Sequence, residues 1–324
     1  MRAAAAALIA ALAVAAALLL ADGSPAGTDR WRALPSAPSE RGEVAAARVG
    51  GSIYVAGGFR PDGRTASAVE RYEIERRRWR RVPPMPVALN HPVAVAHRGR
   101  LYVSGGYASP NGLAEPSRVL LRYNPRTRRW RRLPPAPTPR AAHAAAVIRG
   151  RLYVAGGAND SGSLSSLEVY DFARRRWSRG PGFPGPARNH TTGVASGGLF
   201  YVLAGRDSEN YTAVDRYDPR RRRWQTLPDM RTPRGGIASA RLRDGRIVVF
   251  GGENLAPGGR TIREVELFNP RTSRWSRLPD LRTPRHGLGG AALGNRVFAL
   301  AGGVVPGLSA SSAIEFLDVP PLRR

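Results

Sequence analysis

The feature that most constrains this chain is a repeat of about 50 residues that extends from near one end to the other. Six tryptophans mark it, at intervals of 48, 51, 47, 47 and 51 residues. In each unit an apolar run ends in a pair of small residues, usually Gly-Gly, and a Tyr or Phe lies between that pair and the next tryptophan. A chain with this period builds a solenoid, a propeller or an array of similar units. The tryptophans are Trp31, Trp79, Trp130, Trp177, Trp224 and Trp275.

Each unit contains four short apolar or alternating runs that are broken by Gly, Pro and Asn, which is the pattern of a four-stranded antiparallel meander. No helical period of useful length follows residue 21. We expect the Tyr and Trp of the third and fourth strands to supply the bulk between adjacent sheets. The runs that end in the small pair finish at Gly58, Gly106, Gly157, Gly205, Gly252 and Gly303.

This order of Gly-Gly, Tyr and Trp resembles the kelch repeat of β-propeller proteins, such as the central domain of galactose oxidase. The resemblance covers residues 29–319. It implies an all-β fold, a six-bladed kelch-type β-propeller with four-stranded antiparallel blades. Because Trp31 precedes the first Gly-Gly pair and no tryptophan follows the last unit, we expect the amino-terminal strand around Trp31 to complete the last blade.

The amino end predicts export from the cytoplasm. Arg2 is followed by an apolar run over residues 3–20 and then by small, turn-forming residues, which is typical of a secretory signal, although the run is also almost long enough for an anchor. The predicted organisation is a signal peptide or N-terminal anchor at 1–27, the propeller at 28–319 and a short basic tail at 320–324. We expect a monomer that is periplasmic, secreted or anchored at the cell surface, and that meets a membrane only through an uncleaved anchor.

The composition is strongly basic. All 51 Lys+Arg residues are arginine, against 24 Asp+Glu, for a formal net charge of +27, and the exclusion of lysine indicates the codon bias of a GC-rich bacterial genome. There is no cysteine, so the fold uses no disulfide. The segment "RTRRWRRLPP" at 126–135 is predicted to be the hairpin between third and fourth strands, either a solvated turn or part of a positive ring for an anionic surface. No reading motif accompanies it, so no specific nucleic acid is expected.

An arginine recurs just before the first strand of every unit except the second, which reads "VALNHP" at 87–92. In the resembled propellers these loops share a face with the loops between second and third strands, around the channel mouth. Five guanidinium groups there could clamp a carboxylate or phosphate, and they are candidate ligand-binding residues. The alternative is structural pairing with carboxylates that recur near the third-strand aromatic. The arginines are Arg41, Arg140, Arg188, Arg234 and Arg285, and the carboxylates are Glu70, Glu168, Asp215, Glu266 and Glu315.

The fourth unit departs most from the repeat, with "LAGRDSENYT" at 203–212. Polar side chains beside an aromatic one suit a sugar, so Arg206, Asn210 and Tyr211 are predicted to bind ligand, and Glu209 and Asp207 are the catalytic candidates if the protein is an enzyme. Neighbouring loops add Asn159, Asp160, Glu253, Asn254 and Tyr107.

The histidines are expected to pack or cap, because four of them occupy nearly equivalent repeat positions. No metal site and no cofactor are predicted from them. The five histidines are His91, His97, His143, His190 and His286.

The function predicted from the sequence is a non-catalytic, extracytoplasmic binding module that recognises an acidic protein segment or an anionic glycan on the arginine-bearing face. The alternative is a sugar mutarotase or epimerase that resembles the exported sialic acid mutarotases, which are also six-bladed kelch propellers. The copper chemistry of galactose oxidase needs a cysteine crosslinked to tyrosine, and this chain has none. Phosphate-binding, dinucleotide, zinc-protease and serine-hydrolase motifs are also absent from the sequence.

Overall fold

A computed structural model describes residues 30–322, which form strands, turns and irregular segments without a helix. The predicted signal peptide or anchor lies outside the described residues. In chain order the strands are β1 (Arg32–Ala33), β2 (Ala45–Val49), β3 (Ser52–Ala56), β4 (Val69–Glu73), β5 (Arg78–Val82), β6 (Val93–His97), β7 (Arg100–Ser104), β8 (Leu120–Asn124), β9 (Arg129–Arg132), β10 (Ala144–Ile148), β11 (Arg151–Ala155), β12 (Ala158–Asn159), β13 (Gly162–Ser163), β14 (Leu167–Asp171), β15 (Arg176–Gly180), β16 (Thr192–Ser196), β17 (Leu199–Arg206), β18 (Asn210–Asp218), β19 (Arg223–Leu227), β20 (Ala238–Arg241), β21 (Ile247–Phe250), β22 (Val265–Asn269), β23 (Arg274–Leu278), β24 (Gly289–Leu293), β25 (Arg296–Leu300) and β26 (Ile314–Asp318).

These strands form six four-stranded antiparallel sheets, the blades of a β-propeller, so the predicted fold is confirmed. Blades 1, 2, 4 and 5 use four consecutive strands each: β2–β5, β6–β9, β16–β19 and β20–β23. Blade 3 uses β10, β11, β14 and β15, and β12 and β13 form a small hairpin in the loop between its second and third strands. The first strands of the six blades neighbour one another around a central channel.

The amino-terminal strand closes the ring, as predicted. Blade 6 consists of β24, β25 and β26 followed by β1, and β1 pairs antiparallel with β26, where Arg32 lies opposite Phe316. The preceding residue, Trp31, is buried, and its Nε1 donates a hydrogen bond of 2.9 Å to the carbonyl oxygen of Pro279. One blade is therefore built from both ends of the described chain.

The tryptophans join neighbouring blades. Each indole N–H donates to the carbonyl oxygen of a proline that follows the outer strand of the preceding blade, at 2.7–2.9 Å. In blades 1–5 each tryptophan also packs on the third-strand Tyr or Phe of its own blade. A buried indole N–H needs such a partner, and the repeat supplies it six times. The pairs are Trp31–Pro279, Trp79–Pro35, Trp130–Pro83, Trp177–Pro134, Trp224–Pro181 and Trp275–Pro228.

The small pair at the end of each second strand adopts left-handed backbone. In blade 1 Gly58 has a φ of 96°, and a Cβ there would lie 2.3 Å from a neighbouring carbonyl oxygen, so only glycine fits. The first position of the pair also admits alanine, as Ala204 in blade 4 and Ala301 in blade 6. The sequence alignment of the sixth unit is corrected by one residue: Gly302, with a φ of 99°, takes the place that the repeat assigned to Gly303.

The channel has two different ends. The loops that enter the first strands meet the loops between second and third strands at one end, here called the mouth face. The other end, here called the hairpin face, carries the hairpins between third and fourth strands. The segment at 126–135 is such a hairpin, between β8 and β9, as predicted, and its arginines at 126, 128 and 129 are exposed.

The wall of the channel consists mainly of small residues of the first strands, with Ala, Gly and Val predominant, and encloses a cavity of about 410 Å³. Between blades 4 and 5 the hydroxyls of Thr192 and Ser239 lie 2.9 Å apart in this wall. Nowhere in residues 30–322 is there a helix with the length and apolar character needed to cross a membrane.

Candidate functional site

The repeated arginines lie near the mouth face but are fully buried. Each of the five is 0–1% exposed and faces the predicted carboxylate of its own blade, which is itself at most 2% exposed. The shortest N–O distances are 2.8, 3.3, 2.7, 2.7 and 3.9 Å for Arg41–Glu70, Arg140–Glu168, Arg188–Asp215, Arg234–Glu266 and Arg285–Glu315.

The same guanidinium groups also donate to a main-chain carbonyl of the small pair and, in all but Arg188, to the carbonyl of the residue before the third strand; Arg41, for example, donates to Gly57 and Ala68 at 2.9 Å. A guanidinium that is shielded from solvent and bonded within its blade holds the second-to-third-strand loop against the sheet. The structure thus places these five residues, the buried arginine series, in the structural pairing that the sequence offered as the alternative to ligand binding.

Blade 2 shows that this pairing is replaceable as a unit. Leu89 occupies the arginine position and Leu121 the carboxylate position, and both are fully buried in one apolar cluster. Replacing both partners of a buried ion pair with apolar residues is often neutral or stabilising, whereas removing one is costly. The second unit therefore lacks both the arginine and the carboxylate, and a leucine stands at each position.

Two residues after the arginine position, every blade places one residue in the channel mouth. All six of these residues have left-handed backbone, with φ between 47° and 67°. Main-chain hydrogen bonds of 2.7–3.0 Å link these residues from blade 1 to blade 3 and from blade 4 to blade 6, and Val44, next to the blade 1 residue, donates to the blade 6 residue at 3.0 Å. This first ring consists of Glu43, His91, Ala142, His190, Gly236 and Gly287.

A second ring lies beside the first. In every blade the residue after the small pair forms an antiparallel bridge with the residue that precedes the first-ring residue. Blade 3 contributes an alanine to each ring, which leaves room beside the larger side chains. The second ring consists of Phe59, Tyr107, Ala158, Arg206, Glu253 and Gly303.

Glu43 is the centre of the polar contacts between these rings. Its Oε2 lies 3.1 Å from His91 Nε2, and its Oε1 lies 3.0 Å from His286 Nδ1. The His91 ring in turn meets the His190 ring edge-on, with centroids 4.8 Å apart. Side chains from blades 1, 2, 4 and 6 are thus in contact across the mouth.

The remaining polar side chains surround Glu253 of blade 5. Arg206 donates to Glu253 Oε1 at 2.6 Å, and the main-chain N–H of Gly307 donates to Oε2 at 2.8 Å. The second nitrogen of His286, Nε2, lies 3.0 Å from the carbonyl oxygen of Val305. We call the six residues Glu43, His91, His190, Arg206, Glu253 and His286 the mouth cluster.

Two aromatic side chains border the mouth cluster. Phe59 and Tyr107 each pack edge-on against His91, with centroids 5.8 and 5.7 Å away. Burial raises the pKa of Tyr107, with Asp160 adding to the rise and Arg206 opposing it. The site therefore combines charged, imidazole and aromatic groups.

The three histidines of the cluster differ in the direction in which their pKa values are shifted. Burial lowers the pKa of His91, and burial followed by the charge of Arg206 lowers the pKa of His190 well below its usual value. Burial acts in the same direction on His286, but its hydrogen bond to Glu43 and the charges of Glu43 and Glu253 raise its pKa overall. Burial alone would raise the pKa of Glu43, yet the neighbouring histidines lower it far below the usual range.

Of the residues predicted in the fourth unit, the structure places Arg206 in the mouth cluster and the others around it. Asn210 donates to the carbonyl oxygen of Glu253 at 2.8 Å, and Asp207 accepts from Ser163 at 2.6 Å. Glu209 is exposed at the tip between β17 and β18, and Tyr211 is half-buried on β18.

The other predicted loop residues lie farther from the cluster. Asn159 caps the β12–β13 turn by accepting from the N–H of Ser161, and Asn254 does the same for Ala256. Asp160 is exposed.

Four of the five histidines lie within one residue of the same repeat position, as expected, but only two of them are equivalent. His91 and His190 are in the first ring, His286 lies one residue before it, and His143 lies one residue after it. The predicted packing role holds for His143, which bonds Ser104 at 2.9 Å, and for His97, which stacks on Phe172. A shift of one residue turns a side chain to another neighbour, so only three of the five reach the mouth.

Sequence reasoning missed Glu43 and Phe59 altogether. Phe59 could have been found in the varied column after the small pair, and Glu43 in the alignment of the six units on the arginine. Read two residues later, this alignment gives Glu, His, Ala, His, Gly and Gly, a varied column within a regular repeat.

The fold and this mouth define a class of protein: a six-bladed β-propeller with a polar site where the central channel opens. The KLHDC2/KLHL20/DRC7 Kelch-repeats domain matches residues 43–232, more than half of the chain, and the Kelch motif matches residues 238–282. The chain therefore belongs to the kelch-repeat family.

The individual curated relatives match a much shorter part of the chain than the family model does. Kelch-like protein 33 of Homo sapiens is 50% identical over 50 residues, which are 15% of this chain and 9% of that protein, and Kelch-like protein 41a of Danio rerio is 44% identical over 50 residues, 15% and 8% respectively. The chain thus matches less than a tenth of the length of these curated relatives. The solved structure titled "Structure of YjhT" aligns with a TM-score of 0.74 and 17% identity over 87% of this chain and 95% of that chain, a likeness of fold.

Proposed function

We propose that this propeller binds a sugar at the mouth cluster, outside the cytoplasm. Kelch propellers commonly serve as interaction modules, and the mouth is where this one departs from its own repeat. The observation that carries the proposal is that ionic, imidazole and aromatic side chains from five blades converge on one point. A sugar needs such a site, with directed hydrogen bonds and apolar faces around it.

Three first-ring residues with large side chains have left-handed backbone. Glu43, His91 and His190 hold left-handed φ angles at positions where blades 5 and 6 use glycine. This conformation costs a non-glycine residue about 1–2 kcal/mol. The hairpins between third and fourth strands contain left-handed residues as well, so what distinguishes the first ring is that its large side chains meet in the mouth.

If the ligand is an anion, as predicted, Arg206 is the arginine of the mouth that would contact it. The buried arginine series is shielded, whereas the Arg206 side chain is 14% exposed and is the most exposed of the charged groups in the cluster. A sugar acid would direct its carboxylate toward this guanidinium.

The test is a calorimetric and thermal-shift screen of the purified protein against neutral sugars, uronic and sialic acids, and acidic peptides. We expect a sugar to bind, with loss of affinity in Tyr107→Ala, and an acidic sugar to lose more than a neutral one in Arg206→Gln. Arg174→Gln, on the hairpin face, is the matched control that removes the same charge. Binding of acidic peptides alone would overturn the proposal in favour of a protein-docking propeller.

A second candidate function, sugar mutarotation, is favoured by the contacts of Glu43 with two histidines. Ring opening needs an acid or base within hydrogen-bond reach of the sugar, and Glu43 lies within 3.1 Å of two imidazoles in the channel mouth. Asp207 and Glu209 lie outside this point. Exchange NMR of anomers is the assay: loss of turnover in Glu43→Gln supports the mouth cluster, and loss in Glu209→Gln supports the fourth-unit loop.

A further inference from the structure

Two histidines of the first ring are held by asparagines in the same way. Asn90 and Asn189 immediately precede His91 and His190, and each side-chain oxygen contacts the Nδ1 of the following histidine. The amide orientation of Asn90 is set by its Nδ2, which donates to the carbonyl oxygen of Gly112 at 3.2 Å. That of Asn189 is set by donation to Ser163 Oγ at 2.7 Å.

This arrangement fixes the tautomer of both histidines. An amide oxygen only accepts hydrogen bonds, so Nδ1 of each ring carries the hydrogen. Nε2 of each ring is then the nitrogen available to a ligand. For His91 that nitrogen lies 3.1 Å from Glu43 Oε2, so the imidazole and the carboxylate meet at one point where a cation can bind. Either a proton on Nε2 or a metal ion between the two atoms would satisfy this contact.

We propose that Glu43, His91 and His190 bind one divalent transition-metal ion, such as Zn²⁺, at the mouth of the channel. One ligand atom from each residue lies within 4.8 Å of the other two. Ligands about 2.0–2.1 Å from a tetrahedral ion are roughly 3.3 Å apart, so a small inward rotation of the side chains completes the trio. Two imidazoles and a carboxylate form a set typical of zinc and non-haem iron sites with an open position.

The surroundings of the trio match the needs of a metal site. His91 and His190 are buried, and each ring offers its Nε2 because an asparagine contacts its Nδ1. The Nδ1 contacts to Asn90 and Asn189 are the outer contacts that usually orient metal-bound histidines. His286 Nδ1 contacts Glu43 Oε1 at 3.0 Å, which leaves Oε2 for the ion.

A neighbouring group, Glu43, Glu253 and His286, has a similar spacing but is already satisfied. Both oxygens of Glu253 accept hydrogen bonds, from Arg206 and from the main chain of Gly307. The Nε2 of His286 contacts a main-chain carbonyl, and its Nδ1 faces two carboxylates, so a proton balances the charge there. We therefore assign the ion to the histidine pair.

A metal at this point would polarise an oxygen of a bound sugar, and that role rests on the proposed function. The metal site itself stands on the geometry of the three side chains. The two can therefore fail separately. A protein that binds Zn²⁺ without binding any sugar retains this inference and loses the proposed function, and a chelated protein that binds sugar but takes up no Zn²⁺ does the reverse.

The experiment uses the full chain without a histidine tag, treated with a chelator and titrated calorimetrically with Zn²⁺, Co²⁺ and Mg²⁺. We expect one equivalent of Zn²⁺ or Co²⁺ and no Mg²⁺. His91→Gln and His190→Gln should each weaken Zn²⁺ binding more than about 100-fold, and Asn189→Ala about 10–100-fold, the usual range for outer contacts. His143→Gln, a buried histidine outside the trio, should bind as wild type.

A folding defect in a ligand variant is distinguished by its circular dichroism and by the visible spectrum of Co²⁺. Wild type loaded with Co²⁺ should show the absorption of a nitrogen-bound ion, and a folded His190→Gln should lose it. Failure of the wild type to bind Zn²⁺ and Co²⁺, or binding that is unchanged in both histidine variants, would overturn the proposal.

Discussion

The buried arginine series and the first ring of the mouth lie two residues apart in the same loops, yet they follow opposite rules. Arg188 is fully buried and bonded to Asp215, in a pairing that recurs in five blades. His190 belongs to a column in which the blades differ, and it contacts side chains from other blades. Within one propeller, regular positions hold each blade together, and varied positions build the site.

Blade 2 sharpens this contrast. It replaces the ion pair with Leu89 and Leu121, so the pair can be exchanged for apolar packing. In the same loop it keeps Asn90 and His91, an Asn-His pair that recurs in blade 4. The buried pair that stabilises a blade can therefore differ while the residues that the blade contributes to the mouth are kept.

The largest effect is expected when one partner of the buried arginine series is removed. Arg234→Leu removes the cation 2.7 Å from the buried carboxylate of Glu266, which then keeps only main-chain hydrogen bonds, from Arg231 and Thr232. The free energy of unfolding should fall by about 3–5 kcal/mol, measured by urea denaturation. The double variant Arg234→Leu with Glu266→Leu reproduces the leucine pair of blade 2 and should regain most of the loss. A double variant as unstable as the single one would contradict the structural role.

A smaller change in stability is expected from the protonation of His143. This buried histidine comes one residue after the first-ring residue of blade 3 and lies outside the mouth cluster. Burial, and then the charge of Arg140, lowers its pKa to about 3, while the unfolded value is about 6.5. The unfolded chain therefore binds a proton as the pH falls below 6.5 and the folded protein does not, so stability falls until pH 3. Between pH 7 and pH 5 this group should account for about 2 kcal/mol.

The measurement is urea denaturation of wild type and His143→Gln at the two pH values. The variant should lose about 2 kcal/mol less stability than wild type on acidification. Equal losses in the two proteins would show that His143 is protonated in the folded state.

Substituting glycine for a left-handed residue on the hairpin face should stabilise the protein without loss of function, whereas the same change in the mouth should remove a binding group. Arg222, in the blade 4 hairpin, is exposed and has a φ of 52°. Arg222→Gly should raise stability by about 0.5–1 kcal/mol, because glycine removes the strain and gives back part of the gain in backbone entropy. His190→Gly relieves similar strain but should abolish Zn²⁺ binding. Thermal unfolding with and without Zn²⁺ compares the two, and a destabilised Arg222→Gly would contradict the strain argument.

The smallest effect is expected at the exposed arginines. Arg131 on β9 lies opposite Arg122 across the strand pair, so it gains nothing from its neighbour. Arg131→Gln should change stability by less than about 0.5 kcal/mol and leave sugar and metal binding unaltered. A loss comparable to that of Arg234→Leu would remove the distinction between buried and exposed arginines.

The site could be read from the sequence only in part. Arg206 and Glu253 stand out because their loops depart from the repeat, and Asp207 and Glu209 stand out for the same reason although they lie outside the cluster. Periodicity shows that a loop differs but not which of its side chains turns inward. Glu43 was missed because its own loop looks ordinary, and its importance comes from partners 48 and 243 residues away.

The sequence by itself determined the six blades, their strand order and the closure by the amino-terminal strand, since these follow from alternation, turns and a period that repeats locally. It also contained the arginines and carboxylates as matched series. Only the tertiary structure decided that those arginines are buried and that Glu43, His91, His190 and His286 meet. The physical reason is that the ring brings equivalent positions of distant repeats together around one axis, so contacts across the mouth depend on the register of every blade, and a shift of one residue, as between His143 and the first ring, sends a side chain elsewhere.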